Sequence, residues 1–113
     1  MKIINVTRNT VLADNAIVAK TLLSRIIGLL NRKSLNQGEA LVITHCSSIH
    51  TIFMRFSIDV LFVDKENKVI KAISNLKPFR LTYIYPRSSY VIELPTGTIE
   101  STHTQETDEL KRF

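Results

Sequence analysis

The sequence predicts a mainly β fold, a compact antiparallel sandwich or distorted barrel with one amphipathic helix and short helical turns. Three observations indicate this class. Short apolar runs of β type recur along the chain and are separated by turn-forming residues. One segment, residues 21–32, instead repeats its apolar residues at helical spacing. No strand–helix–strand repeat is visible, so hairpin connections and antiparallel pairing are favoured.

Length and composition indicate one domain, residues 1–113, with a hydrophobic core. Of the 113 residues, 44% are hydrophobic and 22% are charged, as is typical of globular proteins. The single cysteine, Cys46, cannot form an internal disulfide bond, which fits a reducing compartment. The N-terminal segment lacks the apolar run of a secretory signal, and no segment approaches the roughly 20 apolar residues of a membrane span. We therefore expect a soluble, cytoplasmic protein without a membrane span.

The net charge of +5 raises the question of nucleic-acid binding. Basic residues are spread along the chain, with acidic residues between several of them. Binding along a phosphate backbone instead calls for a basic stripe or patch, preferably with aromatic side chains that stack on bases. Ordinary solubilising charge explains the pattern better, and nucleic acid is disfavoured as a partner.

The first part of the chain is predicted to hold two strands and the helix. KIINVT (2–7) and AIVAK (16–20) form an opening pair of strands, separated by the polar segment RNTVLADN (8–15). In residues 21–32 the apolar side chains share one helical face and the polar side chains share the other. Thr21 suits the N-cap of this helix.

The remaining elements follow from short β-type runs. Residues 58–63 are apolar on both faces, which predicts a central or well-covered strand, and the polar segment 64–68 predicts a hairpin loop. Further elements are predicted at 40–44, 69–73 and 90–94 (strands), at 98–102 (a helical turn) and in the basic LKRF end (an edge strand). Phe79, Leu81 and Tyr83 are expected to cover an edge of the core.

Two acidic residues enter strongly apolar segments and therefore need partners, because a bare buried carboxylate is costly. Asp59 lies in the apolar run 58–63, and Glu93 likewise lies in the apolar run 90–94. Arg55 and Arg25 are the candidate partners, so the four residues predict one network. Two alternatives stay open for it: a structural ion pair that fixes the bend before the strand, or a carboxylate poised in a cleft.

Cys46 and His50 are the candidates for nucleophilic chemistry, and Asp59 with His50 is a second catalytic pair. A thiol and an imidazole together can form a nucleophile. However, no orienting group or oxyanion donor can be recognised, and a free cysteine often behaves as a small buried hydrophobe. The usual zinc spacings are absent around His45, Cys46 and His50. We expect no metal and no cofactor.

Three segments of the sequence are distinctive: SRIIGLL (24–30), SIHTIFMRFSIDVLFVD (48–64) and YVIELPTGTI (90–99). Together they resemble the DUF192 family, also called UPF0127, of small bacterial and archaeal proteins without an established biochemical activity. The match covers the chain from about residue 19 to 110, and the block from 50 to 62 is its distinctive part. The resemblance implies a compact, mainly β fold related to sandwiches, with short helices. As a candidate site it carries over Arg25, Gly28, Cys46, His50, Thr51, Met54, Arg55, Asp59, Glu93 and Gly97.

The chain departs from the family pattern at three positions. Ser57 stands where proline is usual, which makes the bend before the strand less rigid. Asn31 stands where glycine is common, and asparagine can still end a helix in the left-handed conformation. Thr107 precedes Asp108 where the family favours glycine, which leaves the geometry of that turn open.

These observations favour a non-enzymatic module that binds a small anionic ligand or a protein partner. The expected binding residues are His50, Thr51, Arg55 and Asp59, together with Arg25 and Glu93. Arginine would recognise the anionic group, and His50 would tune recognition near neutral pH. We expect His50 and Arg55 to flank a concave, partly exposed cleft. The alternatives are a hydrolase or transferase using Cys46 or the Asp59–His50 pair, and a purely structural cluster.

Overall fold

A computed structural model describes residues 1–19, 32–52 and 54–113. Within them the fold is mainly β, as predicted, with eight strands and one short helix. The strands are β1 (Ile3–Asn5), β2 (Thr10–Ala13), β3 (Asn15–Ala19), β4 (Glu39–Thr44), β5 (Ile58–Val63), β6 (Val69–Leu76), β7 (Tyr90–Pro95) and β8 (Leu110–Arg112), and the helix is α1 (Thr98–Thr102). The helix predicted over residues 21–32 lies outside the described residues except for Arg32.

The described strands form two sheets. A three-stranded sheet has the order β2-β1-β8, and a five-stranded sheet has the order β3-β4-β7-β5-β6. Every pairing is antiparallel except that of β3 with β4, which is parallel. Within the described part of the chain the sheets do not close on themselves, so of the two predicted architectures the open two-sheet arrangement is the observed one.

The predicted opening pair of strands is wrong in its partners. β1 pairs with β2, which lies inside the segment expected to be a polar connection, and β3 pairs with β4. Leu12 and Ala13 are buried within that segment, and Asn9 takes a left-handed conformation (φ 55°) in the turn that precedes β2. Two buried apolar residues and a tight turn are therefore enough to form an edge strand in a stretch whose composition is polar.

The five-stranded sheet is covered on both faces, which explains the continuous apolar runs of β5 and β7. One face packs against the three-stranded sheet and α1, burying Leu61, Ile92 and Ile99 together with Ile3. The opposite face holds a second apolar cluster that includes Val60 and Phe62. The prediction that 58–63 is a well-covered strand is confirmed.

Candidate functional site

Asp59 is buried on the face of the five-stranded sheet that packs against α1, and both of its carboxylate oxygens are occupied. Oδ1 accepts a hydrogen bond from the backbone N–H of Asn75 (2.9 Å), and Oδ2 accepts one from the backbone N–H of Ile99 (2.9 Å). Asn75 takes a left-handed conformation (φ 55°) where the β5–β6 register shifts. Ile99 lies in the first turn of α1, where backbone N–H groups need an acceptor from outside the helix. Asp59 therefore joins an irregularity of β6 to the start of α1.

Glu93 is buried on the other face of the same sheet. Its cross-strand neighbours are Leu41 on β4 and Val60 on β5. Among residues 1–19, 32–52 and 54–113, no hydrogen bond or ion pair reaches its carboxyl group. Burial in these apolar surroundings raises the pKa of Glu93 to about 7. Glu93 is therefore a carboxyl group whose neutral form is favoured by its environment.

The prediction of one charged network around Asp59 and Glu93 is wrong. Asp59 pairs with Leu94 on β7, so Glu93, one residue earlier, points to the opposite face. Asp59 meets backbone N–H groups where arginine was expected, and Arg55 is exposed. Arg25 lies outside the described residues. Backbone donors at an irregular strand and a helix start can satisfy a buried carboxylate as well as a guanidinium can.

Two loops beside the second apolar cluster bring His50 and Thr51 together with residues 77–87. We call residues 45–57 the inner loop, because Ile49 and Met54 pack into the cluster. Residues 77–87 form the outer loop, which runs antiparallel to the inner loop, with Leu81 opposite His50. The inner loop thus lies against the sheet, and the outer loop extends along the edge of the inner loop.

Thr51 is fully buried and fastens the two loops together. Its hydroxyl donates to the carbonyl of Lys77 (2.6 Å) and accepts from the backbone N–H of Arg80 (2.9 Å). Its backbone N–H donates to the carbonyl of Arg80 (2.8 Å), and its carbonyl accepts from the N–H of Phe79 (2.9 Å). Thr51 therefore holds the outer loop in place and is itself shielded from solvent.

The outer loop exposes large apolar side chains, contrary to the prediction that they cover a core edge. Leu81, Tyr83 and Ile84 are 75%, 83% and 70% exposed, and Phe79 is also largely exposed. Of this loop, only Tyr85 packs against the second apolar cluster, where its ring lies 4.5 Å from that of Phe62. The backbone pairing with the inner loop holds Leu81, Tyr83 and Ile84 where they do not pack against this cluster and are exposed to solvent.

Both loops carry cationic groups and no acidic residue. The sequence has no Asp or Glu between Glu39 and Asp59, nor between Glu66 and Glu93. On the outer loop, Lys77, Arg80 and Arg87 are exposed, and on the inner loop His50 and Arg55 are exposed. Only Arg87 has an acidic neighbour in the described structure, Asp64 at 3.9 Å. The surface formed by the two loops is therefore cationic and partly apolar.

The catalytic candidates differ in their surroundings. The thiol of half-buried Cys46 donates to the carbonyl of Ser48 (3.1 Å). Both oxygens of Asp59 are bound by backbone groups, and they lie on the sheet face opposite the cluster that the inner loop covers, so the Asp59–His50 pair is not formed. Within residues 1–19, 32–52 and 54–113, no group of three His, Cys, Asp or Glu side chains is placed to hold a metal ion.

A concave region of about 540 Å³ lies beside β5 and β7, away from the predicted binding residues. It is lined by His45, Asp64, Lys65, Glu66, Pro86, Arg87, Ser88 and Ser89. Of the described residues expected to border a cleft (His50, Thr51, Arg55, Asp59 and Glu93), none lines this region. His50 and Arg55 are exposed on the inner loop.

Sequence reasoning also missed a buried polar group near the chain termini. Asp108 Oδ2 accepts hydrogen bonds from Asn5 Nδ2 (3.0 Å), Arg8 Nε (3.1 Å) and the backbone N–H of Gln105 (2.9 Å). Burial opposes ionisation, but these hydrogen bonds outweigh it and hold the pKa of Asp108 below its ordinary value. The only local signal was an aspartate close to an expected turn, and its partner Asn5 lies about a hundred residues away.

Residues 3–112 match the sequence profile of DUF192, described as an uncharacterized family. The chain belongs to the DUF192 family. A similar relative is a UPF0127 protein of Pyrococcus horikoshii, which is 32% identical over 114 residues that cover 98% of each chain. The resemblance seen in the sequence is thereby confirmed over almost the whole chain.

Two crystal structures share the DUF192 fold seen here. A protein of unknown function from Novosphingobium aromaticivorans superposes with a TM-score of 0.82, at 14% identity, over 98% of this chain and 82% of that one. A candidate transcription regulator from Sinorhizobium meliloti gives a TM-score of 0.80, at 19% identity, over 97% of this chain and 89% of the other. The TM-scores establish a common fold, and identities this low establish no shared activity.

In the described part of the chain, no helix is long and apolar enough to cross a membrane.

Proposed function

We propose that this DUF192 protein is a non-enzymatic binding module that recognises an anionic partner through its outer loop and the adjoining part of its inner loop. One observation carries the proposal: large apolar side chains are exposed on a loop whose charged residues are all cationic. Apolar side chains exposed in a group mark an interaction site more often than they arise by chance. A cationic border adds a preference for negative charge.

The expected binding residues have three kinds of role under this proposal, except Arg25, which lies outside the described part of the chain. His50 and Arg55 are exposed and contact the partner, together with Arg80 of the outer loop. Thr51 is buried and positions the outer loop through its hydroxyl group. Asp59 and Glu93 are buried and stabilise or modulate the sheet without touching the partner. Residues 1–113 act as one domain, and the single cysteine is in keeping with a cytoplasmic location.

A titration with a short glutamate-rich peptide, followed by amide chemical shifts, tests this proposal. We expect the shifts to change in residues 45–57 and 77–87. We also expect Arg55→Ala and Arg80→Ala each to weaken binding by about two- to fivefold, the effect of removing one exposed charge. Lys2→Ala is the matched control, because Lys2 is exposed outside both loops. Shift changes confined to other surfaces, or equal effects of all three substitutions, would refute the proposal.

The enzymatic alternative is tested on the cysteine. Because the Cys46 thiol donates a hydrogen bond to a carbonyl, we expect alkylation by iodoacetamide to be slower than that of a small free thiol. The Cys46→Ser variant should bind the acidic peptide as the parent chain does. Rapid alkylation, together with loss of binding in the variant, would favour the hydrolase or transferase instead.

A further inference from the structure

We infer that the anionic partner is a lipid surface, into whose headgroup layer the outer loop inserts Leu81, Tyr83 and Ile84. This inference rests on the proposed function and specifies its partner. Tyr83 and Ile84 are consecutive residues, and both are more than two-thirds exposed. Neither side of the loop is therefore covered by protein at this point. A ridge that is exposed on both sides suits a soft medium that can close around it, and the boundary of a bilayer is such a medium.

The chemistry of the ridge matches the boundary between lipid and water. Tyrosine side chains are enriched at this depth, because the ring is apolar and the hydroxyl group remains in contact with water. Lys77 and Arg80 precede the apolar side chains in sequence, and both are exposed. Their long side chains can bury their methylene groups and keep the charged ends at the phosphates. Each such charge near an anionic bilayer adds attraction that falls with ionic strength.

Charge complementarity specifies an anionic surface over a neutral one. The outer loop carries three cationic side chains, Lys77, Arg80 and Arg87, and no acidic residue. The inner loop likewise has no acidic residue that would be repelled by phosphate or carboxylate headgroups. Approach with the outer loop first therefore brings cationic groups to the lipid surface without an opposing negative charge from either loop.

Backbone hydrogen bonds also hold the outer loop in the conformation that exposes Leu81, Tyr83 and Ile84. The backbone N–H groups of Phe79, Thr82 and Tyr85 donate to carbonyls of the inner loop, at 2.9, 3.0 and 2.8 Å. The N–H of Arg80 donates to the hydroxyl of Thr51. The loop is therefore fixed before it meets a bilayer, and insertion does not require it to change conformation.

The same side chains fit the other anionic partners less well. Single-stranded nucleic acid is bound by aromatic rings on which bases stack, whereas Leu81 and Ile84 present aliphatic groups without a stacking face. An acidic protein would need a groove that receives a ridge from both sides. These two partners are therefore outcomes of the test and not part of the inference.

Co-sedimentation with lipid vesicles tests the inference. Vesicles of phosphatidylcholine containing about one-third phosphatidylglycerol should bind the chain, and vesicles of phosphatidylcholine alone should bind it at least about tenfold more weakly. The double substitution Leu81→Ser and Ile84→Ser should weaken binding to the anionic vesicles at least about tenfold. Ile17→Ser is the matched control: Ile17 is 58% exposed on β3, outside both loops, and its substitution should leave binding unchanged. Equal losses in the two variants would overturn the inference.

A fluorescent reporter separates insertion from surface adsorption. The sequence has no tryptophan, so Tyr83→Trp places a single indole on the ridge, and Ile17→Trp places one on β3. On addition of anionic vesicles, emission from the first variant should shift to shorter wavelength and emission from the second should not. Vesicle binding without this shift would mean adsorption by charge alone, and the inference of insertion would be wrong.

Comparison with the acidic peptide distinguishes failure of the lipid inference from failure of the proposed function. If no vesicle binds, while the peptide binds and Arg80→Ala weakens that binding by about two- to fivefold, the lipid inference fails and the proposed function stands. If a single-stranded oligonucleotide binds more tightly than the anionic vesicles at equal ionic strength, the lipid inference also fails. If neither vesicles nor peptide bind through the two loops, both proposals fail.

Discussion

The carboxyl groups of Asp59 and Glu93 point to opposite faces of the five-stranded sheet, although the two residues are diagonal neighbours on β5 and β7. Asp59 lies opposite Leu94, and Glu93 lies opposite Val60. One carboxyl group meets two backbone N–H groups, and the other meets apolar side chains. The two acids therefore have different roles, and each leads to its own prediction.

Removing the charge of Asp59 should destabilise the fold. Asp59→Asn keeps the size of the side chain, but an NH2 group replaces one of the two carboxylate oxygens. Because the NH2 group is a donor, one of the two backbone N–H groups loses its acceptor. We expect a loss of about 2–4 kcal/mol in the free energy of unfolding, because a buried donor is left unsatisfied and a charge-assisted hydrogen bond is lost. Urea unfolding at pH 7 measures this change. Glu106→Gln, at an exposed position, is the control and should change stability by less than about 0.5 kcal/mol.

Glu93 should make stability fall as the pH rises. Its folded-state pKa of about 7 lies above its ordinary value of 4.5, so the folded state holds the proton more tightly than the unfolded state does. The resulting stabilisation is fully present below pH 4.5 and is lost as the pH rises through about 7. At about 1.36 kcal/mol per pH unit, the loss is roughly 3 kcal/mol.

The variant Glu93→Gln isolates this contribution, since its side chain stays neutral at every pH. Urea unfolding at pH 4.5, 6 and 8 should show the variant gaining stability relative to the parent chain as the pH rises. A stability difference that is the same at all three pH values would show that Glu93 does not titrate in this range.

Thr51 should control the order of the outer loop. In Thr51→Val the hydroxyl group is lost at nearly constant volume, so the carbonyl of Lys77 and the N–H of Arg80 each lose a partner. We expect destabilisation by about 1–3 kcal/mol. Hydrogen exchange at the amides of Phe79 and Arg80 should be faster than in the parent chain. Thr51→Ser retains the hydroxyl and should protect both amides; if it behaves as the valine variant does, the hydroxyl is not what holds the loop.

Thr107 should be replaceable by glycine with a gain in stability. It has a φ of 77°, a conformation that is strained for a β-branched residue, and its side chain is exposed. Relief of the backbone strain is worth about 1–3 kcal/mol, which exceeds the additional conformational-entropy cost of ordering glycine. We therefore expect a net gain of about 1 kcal/mol in the free energy of unfolding, measured by thermal or urea unfolding. Thr107→Ala should give a much smaller gain, since alanine also disfavours this conformation. A gain in the alanine variant as large as in the glycine variant would exclude backbone strain as the cause.

Several elements could be predicted because their signals are local. The hairpin loop after β5, the short helix at 98–102 and the final edge strand follow from turn residues and short apolar runs, and all three are observed. The left-handed conformation of Thr107 lies at a position where the family favours glycine. β2 was missed because its buried residues, Leu12 and Ala13, are too few to outweigh their polar neighbours.

The exposure of the outer loop could not be predicted in the same way. Phe79, Leu81 and Tyr83 have the composition of residues that cover a core, and nothing in their own segment indicates otherwise. Their exposure depends on the pairing of residues 79–85 with 47–51, which holds them along the edge of the inner loop. Contacts between distant segments decide this placement.

By itself the sequence determined the mainly β fold, the family, the covered strand at 58–63 and the need of its buried acid for partners. Only the tertiary structure decided which groups those partners are. Because successive side chains of a strand alternate between faces, a one-residue difference in the β5–β7 register would place Asp59 directly beside Glu93. Strand register depends on the packing of both sheet faces and not on either strand alone. The separation of the two acids therefore cannot be predicted from the sequence of β5 or of β7 by itself.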